Sequence, residues 1–234
     1  MNINKKLEKL YEEKWAGLKN AWNEYSGEAK QKLHKPLLMQ LVDDFDNADI
    51  KVMFIEQELP KGTKYQIGES FPEFKIPGYQ DLENDLKEAK GIASYFKKEF
   101  IKRFNNKHKD KKIQYVWNNL IKIGLADCKD KTLYSLEKKN FTVLKEEIEI
   151  IKPDVILFTT GPVYDNKLKY LIGVAPEKID GFDKKQLAFI PMDHIVALRT
   201  YHPRSICRYC GGWDFIDRII EQIEKGGLYG SLEM

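Results

Sequence analysis

The sequence predicts an α/β fold, a three-layer α/β/α sandwich around a central, mostly parallel four-stranded sheet. Three observations carry that expectation. Short, near-continuous apolar runs such as IKVMFIEQ (50–57) and DVILFTTG (154–161) suit strands buried on both faces, as parallel strands are. Between such runs lie stretches whose apolar residues recur at three- and four-residue steps, the helical period. Strands that alternate with helices imply crossover connections and helices on both faces of one sheet.

Each element has its own justification. Over residues 4–32, Leu7, Leu10, Tyr11, Trp15, Leu18 and Trp22 recur with charges between them, which predicts a helix ending near EYSGEAK. HKPLLMQLVDDFDNAD connects it to the first strand, 50–57. The Gly- and Pro-rich stretch that follows is too long for a simple connection and is a functional-loop candidate. A helix is expected over 79–104, with Ile92, Tyr95, Phe96, Phe100 and Phe104 on one face, and then a strand at KIQYVW (112–117). TLYSLEKKNFTVLKEEIEIIKP reads as one helix, with Thr132 as N-cap and Pro153 just past its end. The strand DVILFTTG leads into a helix with Pro162 in its first turn. QLAFIPM and HIVALRT are short strands, and a last helix lies between the glycines of GGWDFIDRIIEQIEKGG.

Composition narrows the class. A chain of 234 residues can bury a proper core without disulfides or metal, and its many aromatic residues argue against disorder. A net charge of +3 does not by itself imply a polyanionic partner, but KKEFIKRFNNKHKDKK (97–112) concentrates positive charge and suits either a solvated face or a phosphate contact. Three cysteines, Cys128, Cys207 and Cys210, fit a reducing compartment rather than a disulfide framework. No apolar run is long enough to span a membrane, and MNINKKLEKLYEEKW lacks the apolar core of a signal peptide, so a cytoplasmic location is expected. The CRYC pair (207–210) has spacing that suits zinc, and His202 and His194 could be proposed to complete four ligands. Without a second cysteine pair, no metal and no cofactor are expected.

In open α/β sheets, ligands sit beyond the carboxyl ends of the strands. The residues there are Gln57 and Glu58 after the first strand, Asn118 and Asn119 after the second, and Thr159, Thr160 and Gly161 after the third. Thr200, Tyr201, His202, Pro203 and Arg204 follow the last. A carboxylate, one or two amides and an imidazole on one sheet edge form a set that can recognise and attack a polar heterocycle. Taken singly, each has a plainer role: Glu58 as a solvated loop acid, the asparagines as turn residues, His202 as a strand-end histidine bonded to backbone.

Three segments, VMFIEQELP, YVWNNLIKIG and VALRTYHPRS, occur in the order and spacing of the motifs of the uracil-DNA glycosylase superfamily, and the intervening IKPDVILFTTGPV is similar to a further segment of that family. The resemblance covers roughly residues 40–225, and the His-Pro segment with its preceding RTY is its most specific part. It implies one domain of that type over 1–234, with 1–45 as a helical extension packed on it. By the same resemblance, Glu58 and His202 are the catalytic residues, and Gln57, Asn119 (or Asn118) and Phe71 (less well Phe74) contact the base. Pro203 with Arg204 or Ser205 falls at the DNA-contacting turn, and Arg199 and Arg208 are further phosphate contacts. The chain departs from the pattern at Glu56, where the family usually has glycine, at Leu59, where it has proline, and at Glu58, a methylene longer than the usual aspartate.

The chemistry implied is removal of uracil or a related base, flipped from the strand before its glycosidic bond is cut. His202 would donate to the departing base's carbonyl oxygen, Glu58 would stabilise the sugar cation or orient water, and the Asn119 amide would match the imide edge of uracil. Arginines, with the lysine-rich 107–112 segment, would meet phosphates. The expected partner is DNA carrying a uracil or modified base, bound by a monomer away from any membrane. Two alternatives stay open: a nucleic-acid-binding relative that has lost the chemistry, and a nucleotide-binding enzyme of flavodoxin-like architecture. The second lacks the glycine-rich phosphate loops GxGxxG and GxxxxGKS.

Overall fold

The computed structural model describes residues 2–24, 36, 38–42, 44–57, 74, 91–123 and 131–227. Among them the chain is an α/β protein with one six-stranded mixed sheet and seven α-helices. The chain forms two compact units, one of Met1–Leu41, Gln57–Gln80 and Asn118–Ile151, the other of Val42–Glu56, Asp81–Trp117 and Lys152–Met234. No helix among the described residues is long and apolar enough to cross a membrane.

The second unit holds most of the sheet. Its strands are β1 (Ile50–Glu56), β2 (Ile113–Asn119), β3 (Val155–Phe158), β4 (Glu177–Lys178), β5 (Leu187–Met192) and β6 (Ile195–Thr200), in the spatial order β2-β1-β3-β6-β5-β4. β1 pairs with β3 and β3 with β6 in parallel. The N–H groups of Asp49 and Ile50 both donate to the Lys112 carbonyl where β1 and β2 begin, and Ile121 N–H donates to the Gln57 carbonyl beyond their ends, so these two strands also run the same way. The expected four-stranded sheet is therefore corrected to six strands. β5 and β6 are joined through Asp193 and His194 alone, and so tight a connection reverses the chain and forces antiparallel pairing. His194 takes φ 58° in that turn. β4 adds a second antiparallel pair at the edge.

One face of this sheet is covered by two helices, α2 (Ile92–Lys107) and the last, α7 (Phe215–Lys225). Alternation along each strand sends Val52 and Phe54, Val155 and Leu157, and Val196 and Leu198 to that face, where they meet Phe96, Phe100 and Phe104 of α2 and Ile216, Ile219, Ile220 and Ile223 of α7. The apolar row of α2 is narrower than expected. Phe96, Phe100 and Phe104 are buried, whereas Ile92 and Tyr95 are exposed, because the face that meets the sheet follows the single four-residue row. The part of the expected helix over 79–90 lies outside the described residues.

The first unit is built on α1 (Ile3–Glu24), which buries all six residues of its predicted stripe. It packs on α3 (Lys131–Asn140) and α4 (Leu144–Ile151). The single helix expected over 132–152 is thus two. Phe141 turns into the core between them, with its ring against Tyr11 and Trp15, and the β-branched Thr142 and Val143 make a poor continuation. Because α3 already includes Lys131, Thr132 lies inside its first turn and is not its N-cap. Two further helices belong to the second unit, α5 (Asp165–Ile172) and α6 (Pro203–Tyr209).

Candidate functional site

In the second unit the chain leaves β1 for β2 on one side and returns through β3 on the other. The carboxyl ends of β1 and β3 therefore flank a topological switch point, the usual ligand crevice of open α/β sheets. Alternation sends Trp117, Glu56 and Thr159 to the face covered by α2. Glu56 pairs with Lys97 of α2 at 2.9 Å, and both side chains are nearly buried. The Lys97 ammonium also lies 4.9 Å from the centre of the Trp117 ring. Thr159 is 1 % exposed, and its hydroxyl has no hydrogen-bond partner among the described residues; the same holds for the Trp117 indole N–H. Buried polar groups are nearly always satisfied, so these two mark where a polar ligand or water would be accepted.

His202 joins this edge from the end of β6. Gly161 N–H donates to the Thr200 carbonyl at 2.9 Å, and a β-carbon at Gly161 would be in ordinary contact with the His202 backbone nitrogen, at 3.6 Å. Gly161 has φ 76° and ψ 164°, a backbone conformation essentially restricted to glycine. His202 is the N-cap of α6, and its Nδ1 accepts the Arg204 backbone N–H at 3.2 Å. With Nδ1 an acceptor, the neutral ring carries its proton on Nε2. Burial pushes the His202 pKa below the usual histidine value; Glu56 opposes that shift, and Arg204 and Lys97 reinforce it.

The other predicted residues of this segment divide sharply. Arg204 and Arg208 are exposed on α6, Ser205 is half-buried and donates its N–H to the His202 carbonyl at 2.7 Å, and Pro203 is buried in the first turn. Arg199, expected to meet phosphate, is 0 % exposed. It lies on β6, where its guanidinium bonds both carboxylate oxygens of Asp165, at 2.8 and 3.0 Å, and the carbonyls of Lys184 and Lys185, each at 2.9 Å. That geometry ties α5 and the loop before β5 to β6 and keeps the charge inside the unit.

In the first unit, Asn118 and Asn119 are both fully buried. The Asn118 amide is committed internally. Its oxygen accepts from the Asn119 N–H at 2.8 Å and from the Lys122 ammonium, and its nitrogen donates to Glu147 at 2.9 Å. Lys122 and Glu147 form an ion pair at 2.6 Å, and Tyr11 donates to the other Glu147 oxygen at 2.5 Å. Glu137 accepts the backbone N–H groups of Lys122 and Ile123 at 2.7 and 2.9 Å. Burial lowers the Lys122 pKa, against the pull of Glu147, and burial together with the Glu147 charge raises that of Tyr11 well above its ordinary value. This network holds the end of β2, where Asn119 stands, and commits the Asn118 amide inside the unit. Gln57 is half-buried, its carbonyl taken by Ile121 N–H.

Glu58 and Phe71 lie outside the described residues, as does Cys128. Phe74 is half-buried and packs edge-on to Trp15 in the first unit, with ring centres 5.4 Å apart. Cys207 is exposed, and burial pushes the Cys210 thiol up to about 11, which makes it a poor nucleophile. Sequence reasoning did not assign Lys97, Trp117 or a positive role for Glu56. The available signals were a lysine beside the phenylalanine row of α2 and the shared strand parity of residues 117, 56 and 159. In comparisons with protein-family models and with curated proteins, the chain matches no family model and no curated protein.

Proposed function

We propose that the chain is a DNA glycosylase-type hydrolase that removes uracil or a related base, with His202 as the hydrogen-bond donor to the departing base. The observation that carries the reading is the state of His202. Its Nδ1 is held by the backbone of α6, so Nε2–H is the free donor, and burial keeps the ring neutral at neutral pH. A neutral, preoriented donor stabilises an anion that forms only as the glycosidic bond breaks, the condition for lowering a barrier rather than tightening ground-state binding. In this reading Glu58 stabilises the cationic sugar, the Asn119 amide reads the base edge, and the exposed Arg204 and Arg208 meet phosphates. A three-layer arrangement, a cytoplasmic location, a DNA partner and a monomeric state belong to the same proposal.

The test is incubation with uracil-containing oligonucleotides followed by alkaline cleavage at abasic sites. The expected result is strand cleavage by the wild-type chain, reduced about 10²- to 10³-fold in His202→Ala, the usual loss when one such donor is removed. A second reading, a nucleic-acid-binding relative without the chemistry, is favoured by Glu56, whose ion pair with Lys97 occupies a strand end where the resembled family has glycine. Salt-sensitive DNA binding with no cleavage of any uracil substrate would select it.

A further inference from the structure

Several basic residues of the second unit are paired within it. Arg103 pairs with Asp217 at 2.7 Å, Lys107 with Glu224 at 2.8 Å, Lys112 with Asp44 and Lys97 with Glu56. Arg218 lies over the rings of Phe182 and Phe215. Arg204 and Arg208 are not among them. They sit four residues apart on α6, hence on one side of it, both are exposed, and neither has an acidic partner among the described residues. Like charges at this spacing cost a helix a few tenths of a kcal/mol. An anion bridging them removes that cost.

Aromatic rings border the same helix. Tyr209, its last residue, is 50 % exposed and rests on Tyr201 with ring centres 5.2 Å apart. Gln186 donates to the Tyr209 carbonyl and pins the end of the helix. Tyr95 is 47 % exposed and packs on Trp213 at 4.9 Å. Trp213 is four residues beyond Tyr209, so the Cα atoms of these two residues lie within about 14 Å of each other. Each exposed tyrosine is backed by a second ring, which fixes it before any ligand arrives and lowers the cost of ordering it on binding.

We propose that the outer face of α6 with the adjoining Tyr95–Trp213 pair is a track for single-stranded nucleic acid, in which Arg204 and Arg208 meet backbone phosphates while Tyr209 and Tyr95 stack on unpaired bases. Charge complementarity selects a polyanion, and the exposed rings select a strand whose bases are free to leave their own stack, since every base offers a π-face. A duplex offers phosphates to the arginines but no free base to the tyrosines. The inference rests on the nucleic-acid partner of the reading above and not on its chemistry.

The experiment is fluorescence anisotropy of the full chain with a labelled, uracil-free oligothymidylate and with a mixed-sequence duplex of the same length, across salt concentrations. The single strand is expected to bind more tightly than the duplex. Tyr209→Ala should weaken single-strand binding by about tenfold while sparing duplex binding, and Tyr209→Phe should restore it. Arg204→Ala and Arg208→Ala should each lower the slope of log affinity against log salt by about 0.7. Unchanged thermal melting would show that the variants fold. Equal or tighter duplex binding, no single-strand binding at low salt, or wild-type affinity in Tyr209→Ala would overturn the track. Because the probe contains no uracil, binding without excision of uracil elsewhere sinks only the glycosylase reading, and excision with a duplex preference sinks only the track.

Discussion

At Gly161, a φ of 76° combined with a ψ of 164° holds the end of β3 against the start of the His202 turn. A β-carbon at this position meets only ordinary contacts, at 3.6 and 4.0 Å, so the penalty for Gly161→Ala is conformational and not a clash. It is expected to destabilise the protein by about 1–3 kcal/mol, read from urea unfolding. For His202 itself, the folded pKa is depressed by burial. The stability it contributes is therefore complete above the unfolded value of about 6.5 and is lost as pH falls from there through the folded value. NMR titration of the ring should give a midpoint below 6.5, and a midpoint at or above it would remove the neutral-donor argument. The position of His202 was legible in sequence because the His-Pro step follows an apolar run directly. The burial of Arg199 was not, because its partners lie 34, 15 and 14 residues away and meet it only once α5 and the β5 hairpin are in place.

Among the elements, helix faces read well wherever a long stripe repeats, as in α1, whose six predicted residues are all buried. Strand direction read less well. Two apolar runs separated by Asp193 and His194 are a hairpin signal, but the surrounding alternation of strands and helices suggested parallel crossovers. The polar residues of the first unit were the least legible. Nothing local in NNLIKIG announces that Lys122 is buried, because its partners Glu147 and Tyr11 come from α4 and α1. Removing one member of a buried ion pair strands the other, at a cost of about 3–5 kcal/mol. Lys122→Ala is expected to lose that much in urea unfolding, with a lower thermal midpoint. A near-neutral Lys122→Ala would show that the pair does not hold the end of β2.

Across the whole molecule, the α/β class was readable from alternation alone, while strand number and the ion pairs formed by several residues of the 97–112 basic cluster were not. That cluster gave the strongest charge signal in the sequence, yet Lys97, Arg103, Lys107 and Lys112 each meet a carboxylate. Arg204 and Arg208, a weaker signal, are exposed on a seven-residue helix with no acidic partner among the described residues, which leaves them open to an external anion. The central claim joins that surface to a neutral imidazole at the sheet edge, and the single-turnover rate of uracil release as a function of pH tests it most directly. The account predicts release by the wild-type chain at a rate that stays level as pH falls through 6.5 and declines only below it, with the step absent and the rate about 10²- to 10³-fold lower in His202→Ala. No release at any pH, or equal release by His202→Ala, would contradict it.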